Sequence, residues 1–346
     1  MKVTRRKMLS SALAAAAVTS LNPSSIFAQD KKVTIRLGTL VPKGTSFHTT
    51  LQEMGDQWQK ASAGNVKLMI YTDGTQGGEA DMVRRMRIGQ LNGALLSAPG
   101  LAVIEDSIRA LQLMPMMFAS LEEFDHVRTK LEASLEKKFL DKGFVVLYWG
   151  DAGWVHFFSK FPAQKPDDFK RGKMFVWSGD KDSIGVMKAI GINAIPLEQT
   201  DILTGLQTGL IDSVPSVPFY ALAGQFDKQA PHMLAVNWVP LVGATVITKK
   251  VWDDIPANVQ AQLKKSALEA GVKIKKRSRE EALESIAAME KRGLKVTKLT
   301  PELQAEWNKF AETVYPQLRG KIVPADLFDE VQKLVKEYRA SKGAAQ

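Results

Sequence analysis

The sequence predicts an α/β protein of two lobes, with open, mostly parallel sheets, hinge strands between the lobes and one long helix reaching across both. Three observations carry this reading. Residues 33–97 and 169–219 each alternate short apolar strands with helical segments, an order that requires crossover connections and parallel pairing. Extended apolar runs at 145–158 and 242–247 lie outside those two units and suit strands that pass between lobes. Pro256 then opens a helical pattern that continues to about Arg292.

The elements follow in order. Residues 33–38 alternate apolar and polar and form the first strand. After the Pro42-Lys43-Gly44 loop, Ser46 is read as the N-cap of a helix reaching about Ala61. Residues 66–71 are a strand, 72–78 a glycine-rich loop, 79–88 a helix stopped by Gly89, and 92–97 a third strand. Residues 121–140 are helical. Strands at 145–149 and 155–158 flank Gly150-Asp151-Ala152-Gly153, read as a crossing point between lobes. In the second unit the strands are 174–177, 194–197 and 210–214, and the helices are 182–190 and 198–209. Toward the C-terminus come the strand at 242–247, the long helix with Gly271 as its one candidate interruption, a short strand at Val296, and helices at 302–315 and 325–338. No repeat of fixed period occurs, which argues against a solenoid.

The N-terminus has the pattern of an export leader. Thr4-Arg5-Arg6-Lys7-Met8-Leu9 has the twin-arginine form, 13–18 are apolar, and Ile26-Phe27-Ala28 ends in a small residue suited to cleavage. That apolar run is far shorter than the roughly 20 residues a membrane span needs. Residues 1–28 are therefore assigned as leader and the remainder to the periplasm. The chain contains no cysteine, so core burial rather than disulfides must stabilise it, and a lipid anchor on a leader cysteine is excluded. The expected lobes are 29–151 with about 239–270, and 152–238 with about 271–346, the latter including the C-terminal helices.

The formal charge is +10, of which Lys2, Arg5, Arg6 and Lys7 belong to the leader, leaving +6. Much of the rest lies between Lys264 and Lys295, interleaved with glutamates at helical spacing, the pattern of a solvated helix face. The segment has no aromatic stacking groups, so no nucleic-acid role is expected. A search for catalytic patterns is equally empty. His48, His126, His156 and His232 have no metal-ligand spacing, and His156, in an apolar strand, reads as a satisfied core or pocket histidine. No G-x-S-x-G elbow occurs. Gly74-Thr75-Gln76-Gly77-Gly78 lacks the Gly-Lys-Ser/Thr ending of a phosphate loop, and Asp167-Asp168 and Asp253-Asp254 precede helices as caps do. No enzyme activity, cofactor or metal is expected.

Several motifs stand in a particular order: Leu37-Gly38 to Thr45-Ser46, Gly77-Gly78-Glu79 to Gly89 and Asn92, Met114-Pro115-Met116-Met117-Phe118, and Ala194-Ile195-Pro196-Leu197 followed by Gln207-Thr208-Gly209-Leu210-Ile211-Asp212. Together, from about residue 33 to the 260s, they resemble the DctP-like solute-binding proteins of tripartite ATP-independent periplasmic (TRAP) transporters. The resemblance implies a two-lobed periplasmic binding protein that closes on a small molecule and delivers it to a complex of two integral membrane subunits, without itself entering the membrane. It also implies an arginine in the strand at 174–177 that pairs with a ligand carboxylate. Here that position falls on Phe175 or Val176, followed by Trp177. The second arginine of the relatives that bind sialic acid is missing from Gly153-Trp154-Val155-His156, and the family's asparagine aligns with Ser216.

Aromatic residues gather in the same places. Tyr148, Trp149, Trp154, Trp177, Phe219, Tyr220 and Trp238 lie at strand ends or loops, where each could face the cleft or pack a core. Aromatic walls suit a neutral or partly apolar ligand, or a cation over the rings, and suit a hydrated dicarboxylate poorly. The expectation is therefore a receptor for an uncharged or apolar-rich solute. Trp154, Trp177 and Phe175 are the expected walls, Gln199 and Ser216 the hydrogen-bonding groups, and Gln76 a reach from the first lobe. The alternatives are a small-carboxylate receptor using Lys173, Arg171 or a metal bridge, or a binding module serving a sensor or an ABC importer.

Overall fold

The computed structural model describes residues 32–343; the leader assigned to 1–28 lies outside them. In chain order the strands are β1 (Val33–Thr39), β2 (Val66–Tyr71), β3 (Gly93–Ser97), β4 (Phe144–Trp154), β5 (His156–Ser159), β6 (Met174–Trp177), β7 (Ala194–Leu197), β8 (Ser213–Ser216), β9 (His232–Leu234), β10 (Pro240–Thr248) and β11 (Lys295–Thr297). They form two sheets, ordered β2-β1-β3-β10-β4 in the first lobe and β11-β9-β5-β8-β6-β7 in the second. Parallel pairs β1–β2, β1–β3, β6–β7, β6–β8 and β9–β11 are joined by antiparallel ones wherever β4, β5 or β10 takes part.

The antiparallel strands are those that cross between lobes. β4 runs straight into β5, and β9 leads through a short link to β10, so each sheet takes one interior strand, β10 or β5, from chain that has just left the other. The crossing segment expected at 150–153 is the end of β4, which continues the strand instead of separating two strands. Gly150 and Asp151 pair with Gly243 and Val242 of β10, which keeps this glycine-rich segment extended. Gly153, at φ +81°, takes up the change of direction before β5, a conformation that costs glycine little.

Other departures have local causes. Thr45, not Ser46, caps the helix Ser46–Ala61: its backbone is extended and its hydroxyl accepts His48 N at 3.4 Å. The segment after β7 opens with a tight turn at Gln199–Asp201 before the helix Ile202–Thr208, which Gly209 ends at φ +74°. The strand expected at 210–214 begins only at Ser213. Asp212 is held instead as a loop anchor, its Oδ1 accepting Lys173 N at 2.7 Å, and Leu210 is exposed.

The helix Ala257–Glu290 passes Gly271 without a break. At about 1.5 Å per residue it is about 51 Å long, and it packs on β4, on Ser46–Ala61 of the first lobe and on Pro218–Ala223 of the second. Gly271 is needed for this: a Cβ there would come 2.8 Å from the Tyr148 side chain. The C-terminal helices, expected with the second lobe, also make packing contacts with the first. Along Pro301–Leu318, Trp307 and Phe310 pack with Phe157 and Trp238, while Val314 and Leu318 join the first-lobe core. The last helix, Ala325–Gly343, lies on Leu121–Asp141 of the first lobe, where Arg339 Nε meets Glu123 Oε1 at 2.6 Å.

Away from the long helix, a buried ion pair joins the lobes. Arg109 Nη1 donates to Asp180 Oδ1 at 2.8 Å, and the Arg109 and Asp180 side chains are 10% and 4% exposed. Asp180 also caps the helix Lys181–Ala189 by accepting from Ser183 N and Oγ. That helix sends Val186 into the first-lobe core. Arg109→Met leaves a buried aspartate without its charge partner and is expected to cost about 3–5 kcal/mol in urea unfolding. Adding Asp180→Asn should restore much of that loss. A single variant as stable as the parent would show that the pair contributes nothing.

Candidate functional site

The sheets face each other across a cleft at the carboxyl ends of β1, β3, β6 and β8, where ligands of open α/β sheets sit. Two adjoining cavities fill it, sharing Glu79, Ser97, Gln199, Val217, Tyr220 and Leu241 as walls. Part of the space comes from a proline. β6 and β8 pair only at Met174–Ser213, where Ser213 N donates to Lys173 O. Pro215 is the next residue of β8 to present its backbone toward β6, and it has no N–H to give. The ladder stops there, the strands separate, and Phe175, Trp177, Pro215 and Ser216 line the gap.

The lobes touch around the cleft. Phe47 of the first stacks on Phe219 of the second, ring centroids 5.3 Å apart. A Cβ on Gly74 would lie 3.1 Å from Thr200, and one on Gly78 would collide with Glu198 Oε2. Glycine is thus required at 78 for the carboxylate to rest at the N-terminus of the helix Glu79–Arg87. Gly179 serves Trp177 similarly, since a Cβ there would come 2.5 Å from the indole.

Of the residues singled out from sequence, Phe175, Trp177, Gln199, Ser216, Phe219 and Tyr220 are brought together as cleft walls. Five others are not, and their expected placement is corrected. Val176 points to the opposite face from Phe175 and Trp177 and is buried, as strand alternation dictates. Trp149 is buried in the first-lobe core, edge-on to Phe139 at 5.9 Å, and Trp154 packs against the same core. Trp238 stands behind the hinge among Phe157, Trp307 and Phe310. Gln76 sits half-buried in the glycine-rich loop without reaching the cavities. Lys173 and Arg171, the alternative anion site, are exposed at the far end of β6, and Lys173 Nζ bonds to Gly209 O.

Sequence reasoning missed Glu79, Ser97, Asp151, Leu241 and Phe47 as cleft residues. Glu79 stood in the Gly77-Gly78-Glu79 motif and was a legible signal. Its carboxylate is buried yet hydrogen-bonded: Oε1 accepts Ser97 N at 2.7 Å, and Oε2 accepts Ser97 Oγ at 2.6 Å and Gly100 N at 3.1 Å. Burial pushes its pKa above the ordinary 4.5, those hydrogen bonds offset part of the rise, and nearby Glu198 adds to it. Tyr220 is pushed up to about 12 by burial and by Glu79 and Asp73. Asp151 is instead neutralised by Arg279, Oδ2 to Nη2 2.8 Å. No arginine, lysine or histidine lines either cavity.

The arrangement can enclose a small molecule between the two sheets. His156 is a satisfied core group, Nδ1 donating to Val236 O at 2.9 Å, with burial pushing its pKa down to about 4. Among the described residues no group of three or more acids or histidines is placed to hold a metal ion, and no helix is long and apolar enough to cross a membrane.

Comparison with known proteins agrees with this architecture. Residues 37–321 match the family described as bacterial extracellular solute-binding protein, family 7. The 2,3-diketo-L-gulonate-binding periplasmic protein YiaO of Escherichia coli is 27% identical across 93% of this chain and 98% of its own. The uncharacterized protein YiiZ of Salmonella typhimurium is 26% identical across 49% of this chain, which spans only 52% of that protein. The sugar acid binding protein DctPAm of Advenella mimigardefordensis, solved with galactonate, superposes with a TM-score of 0.83 at 19% identity, covering 89% of this chain and 99% of that one.

The raised proton affinity of Glu79 sets a pH dependence. A carboxyl whose folded pKa exceeds its unfolded value contributes stability fully below the unfolded value, near pH 4.5 here, and loses it as the pH rises through the folded value. Glu79→Gln removes that titration. The unfolding free energy of the parent minus that of the variant should therefore fall as the pH is raised from 4.5 toward 8. Parallel pH profiles would contradict the assignment.

Proposed function

The chain belongs to the bacterial extracellular solute-binding proteins of family 7, and on that premise we propose that it is the periplasmic receptor of a TRAP-type transporter. It encloses a small solute between its lobes and presents the closed form to integral membrane subunits. Closure is the signal such a partner reads, because only the loaded, closed form carries the surfaces of both lobes in one arrangement.

Two of the proteins named above, YiaO and DctPAm, bind sugar acids by their descriptions. The reading for this chain differs: its solute is apolar-rich and carries no anionic group. The observation behind it is the charge of the cleft, where Glu79 lines both cavities, Asp151 is already paired with Arg279, and no cationic side chain lines either cavity. A ligand carboxylate enclosed here would lose its hydration without gaining a partner, while facing Glu79 and its neighbour Glu198. The walls supplied by Phe175, Trp177, Tyr220, Phe47 and Phe219 instead reward apolar area.

Calorimetric titration of the refolded, ligand-free protein with D-galactonate, succinate and pyruvate tests this. No heat of binding is expected at millimolar ligand. Phe175→Arg, which places a guanidinium in the cavity, should gain measurable affinity for at least one of these acids. Micromolar binding of any of them by the unaltered protein would overturn the exclusion of anions while leaving the receptor role intact.

A further inference from the structure

The cleft holds an electrostatic imbalance that its own residues do not resolve. Glu79 accepts only from Ser97 and Gly100, which are neutral donors. Glu198, on the opposite lobe, accepts from Trp177 Nε1 at 3.3 Å and from Ser178 Oγ, again neutral. Among the described residues neither carboxylate has an ion-pair partner, although Arg279 answers Asp151 in the cavity wall and Arg109 and Arg339 each answer a buried acid elsewhere in the fold. The two are close enough that Glu198 raises the proton affinity of Glu79. Enclosing like charges together is costly unless a counter-charge arrives with the ligand.

A second observation, independent of the acids, comes from the cavity walls. The space is lined by aromatic rings on both lobes, with the Phe47–Phe219 stack at one end and Trp177 and Phe175 at the other. Tyr148 also lines it. Ring faces carry partial negative charge and attract ammonium groups most strongly where water is excluded. Trp177 combines both features, since its N–H is committed to Glu198 while its ring remains a wall.

Resting on the receptor reading above, we propose that the solute is an organic cation: a protonated or quaternary amine on an apolar body, with its charge facing Glu79 and Glu198 and its body against Trp177, Tyr220 and the Phe47–Phe219 pair. Glu198 is then the residue that sets the preference for charge. It stands at the rim, where the lobes meet against Gly78, so the cation would also complete the closed form by screening the carboxylates that face each other across the seam.

The test uses the leader-free protein and sets of ligands matched in shape: alkyl- and arylalkylammonium ions, among them 2-phenylethylammonium and benzyltrimethylammonium, each with its neutral alcohol and its carboxylate analogue. Binding is read by calorimetry and by tryptophan fluorescence. The best ammonium ion is expected to bind at least about tenfold more tightly than its alcohol, as a desolvated cation–π and carboxylate contact implies. Glu198→Gln should remove most of that ratio, and Glu198→Lys should reverse it. An alcohol that binds as tightly as its ammonium partner overturns the cation proposal but leaves the exclusion of anions standing. A carboxylate that binds best overturns both. Failure of every ammonium ion to bind overturns the cation proposal, as does a preference that survives in both Glu198 variants.

Discussion

The clamp of Arg279 on Asp151 is the interaction on which the geometry of both lobes depends. Asp151 lies where β4 is about to leave the first sheet for the second. Its carboxylate meets Arg279 Nη2 at 2.8 Å and accepts Gly153 N at 3.1 Å, and its carbonyl accepts Ser278 Oγ at 2.8 Å. Arg279 reaches on to Asp125 of the helix Leu121–Asp141. One guanidinium thus ties the long helix, the crossing strand and a first-lobe helix together. A buried pair of this kind adds little net stability over a well-packed apolar substitute, but it does fix position. Here it sets the point about which the lobes are joined, and it cancels the charge of an acid that would otherwise face the cleft.

Around that fixed point the cleft follows from backbone chemistry. Antiparallel β10 binds the crossing strand to β3, so the first-lobe wall cannot shift without breaking the centre of its sheet. In the second lobe the wall is opened rather than closed, because Pro215 ends the β6–β8 ladder after a single pair. Period-two alternation then divides β6 between two environments, Met174 and Val176 inward and Phe175 and Trp177 into the gap. The glycines at 78 and 179 complete the wall by leaving room for a carboxylate and an indole where any Cβ would intrude.

Most of the framework was legible in the sequence because its signals are local. Strand alternation, the glycine stops after helices and the order of strand and helix placed nearly every element within a few residues. The failures lie where tertiary pairing overrode a local signal. Leu210–Asp212 is written as strand but held as a loop by the Asp212 contact with Lys173 N, and Gly271 is written as a break but lies in a continuous helix against Tyr148. The site was legible only in part for the same reason. Phe175, Trp177, Gln199 and Ser216 sit at strand ends or just beyond them, where position along the strand predicts exposure to the cleft. Which face Trp149, Trp154 and Trp238 take depends on the bulges in β4–β10 and on a C-terminal helix that no local pattern could place on the hinge. Glu79 was overlooked because a glutamate at a helix start reads as a favourable dipole contact, and only the tertiary structure reveals that it is buried in a cavity wall.

Phe175, one of the two positions on which the arginine implied by the family resemblance falls, separates fold from the proposed cargo in this molecule. Phe175 projects into space that Pro215 has already opened, and its backbone pairs with Ile195 of β7 whatever its side chain. Neither the ladder nor the core depends on charge at that position, so the scaffold tolerates its loss. The surrounding electrostatics do depend on it. With a guanidinium at 175, Glu79 and Glu198 would have a nearby cation and the cleft would be close to balanced. With a phenyl ring there, the same two carboxylates are left with hydroxyl, indole and backbone donors alone. On the proposed reading of the cargo, a single change at a strand end alters the sign of charge that the cleft favours without moving a strand, through residues it does not itself touch.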